Sequence, residues 1–409
     1  MTEPPVTGLI GVAEAIRILD ATLVSPRVVR LPLMDAIGLR LAVDVVADRD
    51  HPPFDKAVMD GYAVRAADLP PAGATLVRID TVAAGQVGRR VVGAGEAVAI
   101  MTGAPLPPGA DAVVPVEQTR RDGDRVTFTA AARAGQSVAP RGSDVAGGVV
   151  VLPAGTRLGP AQVAVAASVG AAVVSVFARP AVTVLSTGDE LVPIDRVPSG
   201  AQIRNSNGAM LVALLDRLGC DVRDGGIAVD EPDALRAALA EGLRSDALFV
   251  TGGMSMGERD HVPRLLGELG LEARIAKLRI KPGKPFVFAT EPGGSAVGAP
   301  RVAFGLPGNP VSAFVCTVRL AARVLRRMAG GPAEAGLVNA RLTRPMPANG
   351  PREFYQPATW DGSTVTPLGW KGSADLFTLA TANALVIRPE DAPAAAAGDT
   401  VRVLGLDIC

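Results

Sequence analysis

Histidine, cysteine and aromatic residues are scarce in this chain, and each scarcity removes a class of function. Two histidines and three cysteines stand in 409 residues, and Cys220, Cys316 and Cys409 are scattered without metal-ligand spacing, so no zinc cluster is expected. Aromatics make up 3%, and 41 Lys and Arg balance 41 Asp and Glu. Without a basic excess or stacking side chains, a nucleic-acid partner has no support. The start "MTEPPVTGLIG" lacks the basic residues and long apolar run of a secretory leader, and a reducing, cytoplasmic setting fits the unpaired thiols. One apolar stretch, "AQVAVAASVGAAVVSVFA" (161–178), is too short and too interrupted by glycine for a membrane span. It reads as a buried helix followed by a buried strand, and no membrane association is expected.

What is present is a globular composition, 48% hydrophobic and 20% charged, in a chain long enough for two to four domains. Val12, Ile16, Leu19 and Leu23 fall at helical spacing, with Ser25-Pro26 as the stop. After Asp44 come short apolar runs punctuated by Gly and Pro, among them "GYAVRAADL" and "GEAVAIMTGAPLPPGADAVVPVE", which predict a β-rich module. From residue 180 strand and helix patterns alternate: "AVTVLSTG", "SNGAMLVALLDRLG", "CDVRDGGIAV", "EPDALRAALAEGL", "DALFVTGG", "VAFGLPG". This alternation predicts a mostly parallel sheet with helices on both faces. Gly330-Gly331-Pro332 marks a boundary to a small C-terminal β domain.

In such a sheet ligands bind beyond the carboxyl ends of the strands. "STGDE", "TGGMSMGERD" and "GLPGNP" should therefore share one rim. Gly252, Gly253 and Gly257 let backbone N–H groups approach an oxyanion, and Ser255 adds a hydroxyl; a plain tight turn is the competing reading. Lys277 and Lys281, four apart in "KLRIKPGKP", would point to one face of an extended strand and supply positive charge. An edge strand using lysine to deter aggregation is the alternative. Asn309 and Pro310 have the form of a helix cap and first helical residue, with Pro307 and Gly308 fixing the turn before them. Asp189, Glu190, Asp230 and Asp260 lie at strand ends, where carboxylates beside phosphate call for Mg²⁺ between them. A helix cap explains Asp230 equally well. Asp60 and Thr102, each before a glycine, have the form of turn residues. His51 has no partner ligands and reads as a packing residue.

Six segments in this order, "PPFDKAVMDGYAVR", "IMTGAPLPPGADAVV", "STGDEL", "TGGMSMGERD", "KLRIKPGKP" and "GLPGNPVSAF", resemble the molybdopterin molybdenumtransferases. This is the MoeA family, also represented by the E domain of gephyrin, and the resemblance covers almost the whole chain. It implies insertion of molybdate into adenylylated molybdopterin in the presence of Mg²⁺, with release of AMP and the molybdenum cofactor. The implied fold is multidomain α/β plus β: a mostly parallel, molybdopterin-binding-like α/β sandwich (180–330), a β-rich module (46–136), an elongated linking segment (1–45 with 137–179) and a small C-terminal β-barrel domain (331–409). The implied assembly is a homodimer whose cleft combines the α/β domain of one subunit with the β-rich module of the other.

By motif, the resemblance assigns catalytic roles to Asp60, Thr102, Glu190 and Asp260; Glu190 and Asp260 are then expected to hold Mg²⁺ or to position water near the anhydride. It assigns substrate binding to Lys277, Lys281, Pro307 and Pro310, and less directly to Asp230, beside which Glu231 competes. Arg141 and Asp144 of "PRGSD" resemble a charged pair near the cleft, and Arg352 and Ser373 resemble the C-terminal domain's contribution to an oxyanion pocket. Asn205 stands where many relatives have Asp, and Lys56-Ala57 where Asn-Ser is frequent. Pathway partners implied are a molybdopterin adenylyltransferase and the molybdoenzymes that take the product. Two rival functions are the adenylylation step itself, whose enzyme resembles the α/β domain alone, and a non-catalytic gephyrin-like scaffold. The residues outside 180–330 speak against the first, and the full acidic set speaks against the second.

Overall fold

The apolar runs that begin at residue 181 form the core of a seven-stranded sheet in the computed structural model, which describes residues 6–253, 261–292, 301–334 and 336–406. The strand order is Val6–Ile10, Glu272–Leu278, Val287–Thr290, Val302–Leu306, Ala247–Thr251, Ala181–Thr187, Asp221–Ala228. All pairings are parallel except those of Val287–Thr290, which is antiparallel to both neighbours. Ala247–Thr251 and Val302–Leu306 are buried at every position, as strands covered on both faces must be.

Period-two alternation divides the side chains between two cores. Phe249 and Phe304 face a core built with Leu211, Leu215 and Ile18, from helices Ser206–Arg217 and Val12–Ala21. Leu248 and Val250 face the other, with Leu235 and Leu239 of Pro232–Gly242 and Leu265 and Leu266 of Val262–Glu268. Phe249 and Phe288 both pack on Phe304, at centroid distances of 4.8 and 5.3 Å.

The strands Leu337–Leu342, Glu353–Trp360, Thr364–Pro367, Ala384–Arg388 and Thr400–Gly405 close into a five-stranded barrel, because Glu353–Trp360 pairs with both Thr364–Pro367 and Ala384–Arg388. Val365, Val386 and Val403 fill it. Tyr355, Leu385 and Ile387 face outward into the α/β core instead. Tyr355 is fully buried; its hydroxyl accepts from Arg319 Nε at 2.8 Å and donates to the Glu353 carboxylate. Burial pushes the Tyr355 hydroxyl well above its ordinary pKa, so it stays protonated and can make that donation.

Residues 1–29 and 176–409 form one compact unit and residues 30–175 another. Strand Val6–Ile10 and helix Val12–Ala21 thus go with the α/β sheet rather than with a linking segment ending at residue 45. The strand pairs with Glu272–Leu278, and Asp20 holds Arg323 through contacts of 2.9 and 2.6 Å. Leu23, expected on the helix, lies beyond its end and is exposed. The second unit carries a six-stranded sheet in the order Ala112–Pro115, Gly61–Val64, Glu96–Ile100, Ala74–Val82, Arg125–Phe128, Thr119–Asp122. The apolar stretch near residue 165 differs from expectation. Helix Pro160–Ser168 buries only Ala166, and the strand after it is half-buried; small alanines leave the helix face largely open. No helix among the described residues is long and apolar enough to cross a membrane.

Candidate functional site

Four parallel strands, Val302–Leu306, Ala247–Thr251, Ala181–Thr187 and Asp221–Ala228, lie side by side and end at one rim. From Ala181–Thr187 the chain crosses first to Asp221–Ala228 on one side, then returns to Ala247–Thr251 on the other. The gap between Ala181–Thr187 and Ala247–Thr251 is therefore a topological switch point, where loops diverge and leave a crevice.

Buried polar side chains close two of these strands. Ser186, Thr187 and Thr251 are buried, and each has a partner. Ser186 Oγ donates to Asn205 Oδ1 at 3.0 Å, and the same oxygen accepts the Gly208 N–H at 3.0 Å, capping helix Ser206–Arg217. Asn205, the departure noted in the sequence, is thus a buried, neutral cap. Thr187 Oγ1 donates to Asp230 Oδ1 at 3.3 Å. The cap of helix Pro232–Gly242 is Glu231, which accepts from Ala234 N at 3.0 Å, so capping does not account for Asp230.

Glycines bring the loops into contact. Gly252 has φ +94, and a Cβ there would lie 2.0 Å from the Thr187 carbonyl oxygen, so only glycine allows the two strand ends to touch. Gly253 also has a positive φ, +62. At Gly188 a Cβ would meet the Glu190 carboxylate at 2.7 Å, so that carboxylate folds back over the bare glycine. Glu190 lines a cavity of about 90 Å³ together with Asn205, Asn207, Gly252, Gly308 and Pro310. Asn207 Nδ2 donates to Gly308 O at 2.7 Å and to Thr251 Oγ1 at 3.1 Å, while Thr251 Oγ1 reaches Pro307 O at 3.4 Å. Pro310 opens helix Pro310–Cys316 as expected, but the Asn309 side chain makes no cap hydrogen bond.

The two lysines are not on one strand. Lys277 belongs to Glu272–Leu278 of the large sheet, whereas Lys281 pairs with Phe354 of the barrel. The break falls at Arg279, whose N–H bonds Ile10 O and whose carbonyl accepts from Glu353 N, so the shared-face argument fails there. Lys281 Nζ lies 4.9 Å from the Phe354 ring, which itself stacks on Trp370. Ser373 is brought to the rim: its carbonyl accepts the Val311 N–H at 3.1 Å, at the first turn of the helix opened by Pro310. Arg352 is half-buried at the start of the barrel strand Glu353–Trp360.

In the unit of residues 30–175, Asp60 and Thr102 meet. Asp60 Oδ1 accepts from Thr102 N at 2.7 Å and from Thr102 Oγ1 at 2.8 Å. These donors, the backbone one foremost, hold the Asp60 carboxyl below its ordinary pKa of 3.8 and keep it charged. Arg141 does not pair with Asp144. Its Nε donates to Asp50 Oδ2 at 2.6 Å and its N–H to Asp55 Oδ1 at 2.7 Å, because the turn at Gly142 folds toward Asp50. Among the described residues the Asp144 carboxylate receives only a long contact, 3.4 Å, from Ser143 Oγ.

Ser255, Gly257 and Asp260 lie outside the described residues. The rim therefore gathers Glu190, Gly252, Gly308 and Pro310 in one cavity, with Pro307, Asp230 and Ser373 bonded to its walls. Asn207 and the buried threonines went unnoticed in the sequence. Their signal is a hydroxyl or amide residue closing an apolar strand or opening the helix after it.

A mostly parallel sheet with glycine turns and a cavity at its switch point defines an α/β protein with a ligand crevice at its strand ends. Residues 183–327 match the family described as "Probable molybdopterin binding domain". Residues 10–170 match "MoeA N-terminal region (domain I and II)" and residues 339–406 "MoeA C-terminal region (domain IV)". A molybdopterin molybdenumtransferase of Nostoc sp. is 34% identical over 392 residues, covering 92% of this chain and 88% of the relative. One of Staphylococcus aureus is 32% identical over 405 residues, covering 97% and 95%. A molybdopterin biosynthesis MoeA protein from Pyrococcus horikoshii superposes with a TM-score of 0.84 at 31% identity, over 98% of this chain and 99% of that one. The chain belongs to the molybdopterin molybdenumtransferase (MoeA) family.

Proposed function

We propose that the chain is a molybdopterin molybdenumtransferase, inserting molybdate into adenylylated molybdopterin with release of AMP. The observation that carries this reading is the rim at the switch point, where Glu190, Gly252, Gly308 and Pro310 line one cavity within a chain of that family. Molybdate is a tetrahedral dianion, so cations and N–H or O–H donors must attract it. Lys277, Lys281, Arg352 and Ser373 are assigned that task. Gly252 and Gly253, with Ser255 and Gly257, are assigned the pterin phosphate. Pro307, Gly308 and Pro310 shape the wall against which the substrate lies.

Mg²⁺ suits this rim by donor chemistry. Glu190 and Asp230 offer hard carboxylate oxygens, and the ion commonly takes one or two carboxylates plus substrate phosphates. Among the described residues no group of three or more His, Cys, Asp or Glu gathers, so the phosphates of the substrate would complete the set, with Asp260 as the further carboxylate. When bound, the ion neutralises charge at the anhydride that is cleaved. Asp60 stays ionised through its Thr102 hydrogen bonds and is assigned to orient a donor group of the substrate, with Arg141 and Asp144 of the same unit assigned to substrate binding.

The protein works as a homodimer in the cytoplasm, receiving its substrate from an adenylyltransferase and passing its product to molybdoenzymes. Exposed Met34, Ile37, Val43, Val149, Val150 and Val165 in the unit of residues 30–175 support a partner surface there. The test offers the purified protein two substrates in parallel. AMP should appear from adenylylated molybdopterin with molybdate and Mg²⁺, and ATP should not be consumed with unadenylylated molybdopterin. ATP consumption in the second reaction would make it an adenylyltransferase, and silence in both would favour a scaffold.

A further inference from the structure

Away from the rim, a cavity of about 390 Å³ opens at the opposite ends of two of the same strands. Ala181 and Asp221 stand side by side in the parallel register, and the Asp221 N–H bonds the Pro180 carbonyl at 2.9 Å. That pairing puts Arg179 and Asp221 at the amino ends of strands whose carboxyl ends reach the rim. A strand of seven residues separates the two places by roughly 20 Å. Arg27 joins Arg179 because its carbonyl accepts the Ala178 N–H at 2.7 Å. Val212 and Asp216, four apart on helix Ser206–Arg217, line the same space, as does Val222.

Both signs of charge line this cavity without pairing. Arg27, Arg179, Asp216 and Asp221 are exposed, and no hydrogen bond or ion pair engages any of these four side chains among the described residues. Elsewhere on this surface neighbouring charges do pair: Arg223 and Arg244 both reach Glu241, at 2.8 and 3.2 Å. The cavity thus holds two cations and two anions apart. Cys220, which also lines it, stays neutral: burial, foremost, pushes its thiol up to about 12, while Arg179 pulls it down and Asp216 raises it. With Val212 and Val222 that thiol gives the cavity an apolar part.

We propose that this cavity is a binding site for a small zwitterion, an apolar free amino acid. The ligand's carboxylate meets Arg27 and Arg179, its ammonium meets Asp216 and Asp221, and its side chain meets Val212 and Val222. A simple anion gains from the arginines but is repelled by the aspartates, and a simple cation suffers the reverse. A ligand carrying both signs satisfies all four through charge-assisted hydrogen bonds. The volume falls within the range of small-molecule sites. The site is separate from the rim and does not depend on the function proposed above.

Calorimetric titration of the full chain with L-leucine tests the proposal. Two analogues are titrated beside it: 4-methylpentanoate, which lacks the ammonium, and 3-methylbutylamine, which lacks the carboxylate. Leucine should bind saturably and about tenfold or more tightly than either analogue, since each forfeits its charge-assisted hydrogen bonds. Arg179→Gln and Asp216→Asn should each weaken leucine binding about tenfold or more, with the melting temperature unchanged because both side chains are exposed. No saturable binding of leucine would overturn the proposal. So would 4-methylpentanoate or 3-methylbutylamine binding as tightly as leucine, which would make the site one for a single charge. Leucine affinity unmoved in both variants would place any binding elsewhere on the chain and overturn it equally.

Discussion

At the residue scale, charge state is set by which donors reach each carboxylate. Asp60 is held ionised by the Thr102 N–H and hydroxyl, and a carboxyl whose folded pKa is depressed contributes stability above its unfolded value that is lost as pH falls through the folded one. Thr102→Val removes one of the two donors, so the Asp60 pKa should rise toward its ordinary 3.8, read by carboxyl NMR titration. An unmoved titration would mean the hydroxyl contributes nothing. Glu190→Ala should abolish the Mg²⁺ dependence of AMP release, seen by titrating Mg²⁺ in the turnover assay; an unchanged Mg²⁺ curve would remove its metal role. Cys220 is buried with its thiol pushed up to about 12, so it should resist alkylation in the native protein and react only on unfolding. That Glu190, Gly252, Gly308 and Pro310 share one rim was legible as motif, but partner choice was not. Arg141 finds Asp50, far back in the chain, and Asn205 turns out to be a cap, because both depend on which segments fold onto each other.

At the scale of elements, close approach governs the rim. Gly252 touches the Thr187 carbonyl at a positive φ, so Gly252→Ala must both strain its backbone and push the adjacent strand ends away from each other. A loss of about 1–3 kcal/mol is expected from the conformation alone, measurable by urea unfolding, together with reduced AMP release. A variant as stable as the wild type would contradict the contact. Strand existence and type were readable from apolar runs around residues 181, 247 and 302, since strands covered on both faces leave a strong signature. The "KLRIK" segment was misread as one strand because its break is imposed by Ile10 and Glu353, partners distant in sequence. Local periodicity carries no information about such pairings. Likewise the helix Pro160–Ser168 is apolar by composition and exposed in fact, since alanine fits either setting.

At the scale of the whole molecule, the order of α/β alternation announced the large sheet, and Gly330-Gly331-Pro332 the start of a β segment. The closure of that segment into a barrel, and the sharing of Tyr355 between its strand and the α/β core, could not be read from alternation. The proposed homodimer, with its cleft assembled from two subunits, makes a sharp prediction. Mixed dimers of Asp60→Ala and Glu190→Ala subunits, each inactive alone, should regain about a quarter of wild-type activity, because half the dimers are mixed and each holds one intact site. No recovery after verified subunit exchange would confine each site to one chain. The most direct measurement of the central claim follows metal and nucleotide together. Purified protein is given adenylylated molybdopterin, Mg²⁺ and molybdate, and AMP release is compared with molybdenum bound to the pterin. One AMP for each molybdenum inserted is predicted. AMP released at the same rate without molybdenum incorporation would contradict the account.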